Sequence, residues 1–154
     1  MKKSVLVLVL AMVTGLSFGQ WKESFYVDEF GDKTTESYQY VVSQGTFSNS
    51  ATQDSDLICN FILSAGSLSV DVYEYGSSLA TDTKATFETI KFKTPTRGVM
   101  TVDDVFFSKG GSLFFSKERY TAVMEVIKEK GTYIMVFKRK SDYSESSYKV
   151  KFTL

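Results

Sequence analysis

Along most of the chain apolar and polar positions alternate with a period of two, in short runs bounded by glycine, serine, threonine or aspartate. That is the punctuation of β-strands. ESYQYVV sets Tyr38, Tyr40 and Val42 against polar neighbours and predicts a strand with one wet face, whereas LICNFIL (57–63) is apolar on both faces, as a central strand covered on two sides would be. SAGS leads into LSVDVYEY, where Leu68, Val70 and Val72 share a face, so residues 57–75 read as a hairpin. ATFETIKFK and VMTVDD follow, separated by a TPTRG turn that holds Pro95. TYIMVFK and SSYKVKFTL close the chain as strands. In the second, Tyr148, Val150, Phe152 and Leu154 alternate with Lys149, Lys151 and Thr153, and its lysines suit a sheet edge or a solvent-facing side.

Two stretches depart from simple alternation. In VFFSKGGSLFFS, Gly110 and Gly111 both accept positive φ, which predicts a two-residue type I′ loop. That register faces Lys109 with Ser112, Phe107 with Phe114 and Phe106 with Phe115, giving aromatic pairs on both faces of one hairpin. Such aromatics are usually covered by the rest of a fold, and uncovered they would form a finger for a partner. KERYTAVMEVIKEKG has a helical period instead: Tyr120, Val123, Met124 and Ile127 form one stripe, Ser116 is placed to cap the start and Gly131 to stop the end. The stripe is expected to lie on a sheet whose apolar face includes Leu57, Cys59, Phe61 and Leu63. About eight strands and one late amphipathic helix predict a mainly β (α+β) domain, an antiparallel sandwich or open barrel.

The first 19 residues are different in kind. MKKSVLVLVLAMVTGLSFG combines two lysines, an apolar run from Val5 to Val13, and small residues at Ser17 and Gly19, which is the form of a secretory signal peptide. Cleavage is expected before Gln20, leaving residues 20–154 as a single β-rich domain that is periplasmic or secreted. The apolar run is too short to span a bilayer, and no membrane span follows. Losing Lys2 and Lys3 reduces 18 basic residues to 16 against 18 acidic ones, a net charge of −2, so nothing favours nucleic acid. The lone Cys59 sits within LICNFIL and is expected to be a buried, inert thiol. The sequence has no histidine, which excludes Ser-His and Cys-His triads and histidine-bound zinc.

Candidate chemistry then reduces to carboxylates, hydroxyls and aromatics. VDEFGDKTTE (27–36) carries Asp28, Glu29, Asp32 and Glu36 around Gly31. A calcium site needs about six to eight oxygen ligands, but the spacing does not follow an EF-hand, and the twelfth position from Asp28 is Gln39. The simpler expectation is a structural turn in which Asp32 and Thr34 satisfy backbone amides. GTFSNSAT reads as a strand broken at Gly45, followed by a loop in which Ser48, Asn49, Ser50 and Thr52 fold back onto the backbone or offer exposed hydroxyls to a ligand. A glycosidase-like hydrolase would need two carboxylates about 5 to 10 Å apart across a cleft. Asp103 or Asp104 opposite Asp28 or Glu29 is the available combination. The expectation is a non-enzymatic binding or interaction module without a metal or cofactor, for a protein or glycan partner, with the carboxylate hydrolase and the calcium-binding module as alternatives. Its candidate surface is Asp28, Asp32, Ser48, Asn49, Phe106, Phe107, Phe114 and Phe115.

Trp21, the DEFGD segment, and GTFSNSAT followed by Ser55 and Leu57 together resemble the N-terminal half of a group of small exported proteins of Bacteroidota. The resemblance covers about residues 21–75. It implies a fold and an export route, and no activity. More remotely, the order of Trp, acidic turn, strand hairpin, late helix and closing strands is similar to the β domain of an accessory protein associated with type VI secretion, whose paired cysteines this chain lacks.

Overall fold

A computed structural model describes residues 21–80, 86–103, 105–107, 112–115, 117–127, 129–142 and 144–154. The expected leader, Asp104, the Lys109–Gly111 turn and the Ser116 cap lie outside these residues, as do the side chains of Phe106 and Phe107. The strands are β1 (Lys22–Val27), β2 (Lys33–Ser48), β3 (Ser55–Ser64), β4 (Ser67–Glu74), β5 (Ser78–Leu79), β6 (Thr86–Thr94), β7 (Gly98–Val102), β8 (Val105–Phe107), β9 (Ser112–Phe115), β10 (Thr132–Lys140) and β11 (Glu145–Thr153). One helix, α1 (Lys117–Ile127), lies between β9 and β10. All ladders are antiparallel, in the order β7-β6-β10-β11-β2-β3-β4-β9-β8, with β1 added to β2 and β5 to β4. The sheet curls until β8 approaches β6, yet among the described residues no ladder joins its two ends. This is the mainly β, open architecture that the alternation predicts.

The period of two sets the inner face. On β11, Ser146, Tyr148, Val150 and Phe152 are buried while Lys149 and Lys151 are exposed. β11 is not an edge; it lies between β10 and β2, so its lysines mark the solvent side of an interior strand. Phe61 packs on Phe152 with ring centroids 4.6 Å apart, Tyr133 stacks on Phe152 at 5.2 Å, and Phe137 stacks on Tyr148 at 4.6 Å. Each such side chain contributes about 1.5–3 kcal/mol through burial. Helix α1 lies against β4 and β9 and adds Val123, Val126 and Ile127 to the same core, with Tyr120 and Met124 packed at its margin. Val126 joins the expected stripe.

Several sequence expectations are corrected by the packing. β3 buries Leu57, Cys59 and Phe61 on one face only; Ile58, Asn60 and Ile62 on the other are half-buried, and among the described residues no further strand or helix covers them. Gly45 does not break β2. The strand runs through it, and a Cβ there would stand 2.1 Å from the Lys149 carbonyl oxygen, so glycine is what lets β2 and β11 approach. The β8–β9 register is one residue from expectation: Phe106 faces Phe114, Val105 faces Phe115 and Phe107 faces Leu113. Leu113 and Phe115 are the buried residues of β9, and slipping the pairing by one would exchange the faces of β8 relative to them.

The helix also ends early, at Ile127, where the Tyr133 hydroxyl reaches the carbonyls of Val126 (2.9 Å) and Glu129 (2.5 Å). Gly131 therefore serves another purpose. Its N–H and C=O pair with Leu154, and its bare Cα lies against the Pro95 ring. The strand count exceeds eight partly because β1 and the two-residue β5 carry no clear alternation.

Candidate functional site

Four exposed apolar side chains, the most exposed of them Phe30, lie on a structure the alternation did not reveal. β2 is 16 residues long, but β3 pairs with it only from Gln39 to Phe47. The preceding segment, Lys33 to Tyr38, runs past the β3 ladder and is matched by β1 alone. The result is a two-stranded arm. Phe25, Tyr26, Val27 and Phe30 are all exposed on it, Phe30 at 82 %. Opposite Tyr26, β2 carries extra residues at Thr34–Glu36, an irregularity that increases local twist. The arm is fastened on one side, where Tyr26 donates to Ser64 Oγ at 2.8 Å and its ring lies 4.9 Å from that of Tyr38, which in turn meets Tyr40. On the other side the Lys33 ammonium stands 5.8 Å from the Phe25 ring centre.

The acidic turn is the tip of this arm. Asp28 Oδ1 accepts from the amides of Phe30 and Asp32, both at 2.9 Å, while Gly31 turns the chain at φ +87°. The main amide acceptor is thus Asp28; Thr34 Oγ1 accepts from Glu36 N at 3.3 Å, and Asp32 contributes its backbone. Among the described residues no three acidic or cysteine side chains converge as metal ligands.

The other candidates are scattered. Asn49 Oδ1 accepts from the amides of Ala51 and Thr52, and Ser48 Oγ accepts from the amide of Asp54, so GTFSNSAT forms the ordered turn its composition predicts. On β9, Phe114 is exposed at 42 %, but Phe115 belongs to the core and offers no surface. The structure therefore puts Asp28 and Asp32 on the arm, Ser48 and Asn49 at the far end of β2, and Phe114 on a separate strand. They form no single site. Cys59 is fully buried, and desolvation, then the nearby Asp71 charge, push its thiol pKa up to about 12, which suits an inert thiol.

Two further arrangements were not legible as sites. On the outer face of the sheet, β2, β6, β10 and β11 line a groove of about 340 Å³ that contains Lys91, Lys138 and Lys149 beside Thr46, Ser48 and Ser147. On the inner side, at the margin of the core, Glu74 of β4 accepts from the Tyr148 hydroxyl at 2.6 Å and meets Arg139 Nη2 at 3.4 Å. Alternation in TYIMVFK and SSYKVKFTL implies that lysines face outward, but only the cross-strand register shows which of them share a groove. The chain matches no family model, no curated protein and no solved structure. Its function must be argued from these surfaces.

Proposed function

We propose that this is an exported, non-enzymatic interaction module that engages a protein partner through the β1–β2 arm. The observation that carries the reading is the exposure of Phe25, Val27 and Phe30 on a ribbon that projects past the β3 ladder, while Tyr26 anchors its other side to Ser64 and Tyr38. An apolar cluster held in water on an ordered ribbon is what a binding surface presents, with aromatic anchors that a partner can desolvate. Export rests on residues 1–19 and on the resemblance to small exported proteins of Bacteroidota. The hydrolase alternative has weaker support: Asp28 is exposed at the tip of the arm, where one oxygen already holds two backbone amides, and an open turn lacks the water-excluding cleft that such chemistry uses.

The test is site-specific photo-crosslinking from position 30 in cells that produce the full chain. A discrete adduct that is lost on Val27→Ser with Phe25→Ser, while the circular dichroism and melting temperature stay unchanged, supports the module. A cross-linker at position 30 that yields only free protein would count against it. Exported material whose N-terminal residue is Gln20 supports the leader, and intact Met1 on a folded cytoplasmic protein overturns it.

A further inference from the structure

We propose that the lysine groove on the outer face of the sheet is a second binding site, for an anionic saccharide. Register places Lys91 of β6, Val136 of β10 and Lys149 of β11 side by side in one row, with Thr46 of β2 next. Two strand spacings separate the lysine Cα atoms, about 10 Å. The row therefore holds two ammonium groups on either side of an exposed aliphatic floor, Val136. One step along the strands lie Lys138, Ser147 and Ser48.

Three features of this groove select the ligand. The first is charge. Lys138 is occupied by Glu145 at 2.6 Å, but among the described residues neither Lys91 nor Lys149 makes a salt bridge. Among these residues Lys91 and Lys149 face one hollow without salt-bridge partners, and with Lys138 they outnumber Asp54, the one acid that lines it, so the groove favours an anion. The second is size. A space of about 340 Å³ exceeds what a single inorganic anion fills and falls at the lower end of small-molecule sites, about 300–1,000 Å³. The third is the polar and apolar mixture. Thr46, Ser48 and Ser147 offer hydroxyls that both donate and accept, matching sugar hydroxyls, while Val136 offers a surface to the C–H face of a ring. Asp54 at the groove is placed to accept from a sugar hydroxyl. Lysine suits this use, because a mobile point charge tolerates sulfate or carboxylate at several positions around a ring. The site lies at the opposite end of β2 from the arm and does not depend on the arm's role.

The experiment is isothermal titration of the mature protein with a sulfated disaccharide, its unsulfated parent and inorganic sulfate, alongside sedimentation with vesicles of equal phosphatidylglycerol and phosphatidylcholine. The sulfated disaccharide is expected to bind in a salt-dependent manner, with the unsulfated parent and inorganic sulfate each at least about tenfold weaker. Lys91→Gln and Lys149→Gln should each weaken it by about tenfold, the loss of a charge-assisted contact, while Lys22→Gln on β1 leaves it unchanged. These lysines are exposed, so unchanged melting temperatures will show that the variants fold. No binding by the disaccharide, equal binding of inorganic sulfate, an equal effect of Lys22→Gln, or capture by vesicles without saccharide binding would overturn the proposal.

Discussion

The Tyr148 hydroxyl donates to Glu74 Oε1 at 2.6 Å, joining β11 to β4 across the inner face. The same carboxylate meets Arg139, whose guanidinium carbon lies 5.9 Å from the Tyr148 ring centre, so three side chains from β4, β10 and β11 converge at the margin of the core, with Arg139 Nη1 buried and unpaired among the described residues. Tyr148→Phe removes a hydrogen bond to a charged acceptor and should cost about 1.5–3 kcal/mol in urea unfolding. Glu74→Ala, which leaves Arg139 half-buried without its acid, should cost more. A Tyr148→Phe protein as stable as the parent would show that the contact contributes nothing.

Gly45→Ala should destabilise by about 1–3 kcal/mol, because the new methyl meets backbone of β11 and neither strand can yield without disturbing its ladder. Gly76→Ala, at a turn with open space around the position, is the comparison. Its cost should come from the positive φ alone, and the two can be separated by whether the β2–β11 amides lose protection from hydrogen exchange.

Ile127→Ala, at the buried end of the helix, should cost about 2–5 kcal/mol. A loss below about 0.5 kcal/mol would place the residue at the surface instead. Chemical denaturation measures both.

Alkaline pH should reduce the stability of the protein through Cys59 and Tyr148. Burial raises the thiol from its ordinary 9.0 to about 12, and burial followed by the hydrogen bond to Glu74 raises the Tyr148 phenol. For both groups the folded-state pKa lies above the unfolded one, so the unfolded chain gives up protons first. Each contribution is complete below the unfolded value; that of Cys59 is lost as pH climbs from about 9 through 12, and that of Tyr148 begins to be lost above its ordinary 10.0. In Cys59→Ala the stability measured across that window should fall less steeply than in the parent. Thiol reagents should label Cys59 slowly in the native state and at once in denaturant, and fast native labelling would contradict the burial.

The acidic turn should be indifferent to calcium. Melting curves in millimolar calcium and in chelator are expected to superimpose, whereas a bound ion at a hundred times its dissociation constant would add about 2.7 kcal/mol. Asp28→Asn keeps an oxygen acceptor for the Phe30 and Asp32 amides and should be nearly neutral, while Asp28→Ala should fray the arm. An upward shift in calcium that Asp28→Asn abolishes would reverse this reading.

How much of this was legible in the sequence follows from the range of each signal. Alternation is local, and it located the larger strands, the helix stripe and the lysine face of β11, because each reflects a face of one element. The arm escaped because KESFYV has little alternation to reveal, being exposed on nearly every residue, and its strand character comes only from pairing with β2. Gly45 misled for a related reason: as a local signal it suggests a break, and the close approach of Lys149 that requires it comes from the other end of the chain. The groove and the Glu74–Tyr148 contact are likewise products of register between strands far apart in sequence. The turn around Asn49 was legible because its hydrogen bonds are made within a few residues.

The position of β11 constrains how the molecule comes into being. It separates β10 from β2, so both those strands keep open edges until it is in place, yet it is the last of the eleven strands to leave the ribosome. A growing chain can form the β2–β3–β4 meander early, but no ladder can join that half to the β6–β7–β10 half before Glu145–Thr153 has been translated. Union of the two halves is thus a pairing between segments far apart in the chain, which makes it a late and slow step of folding.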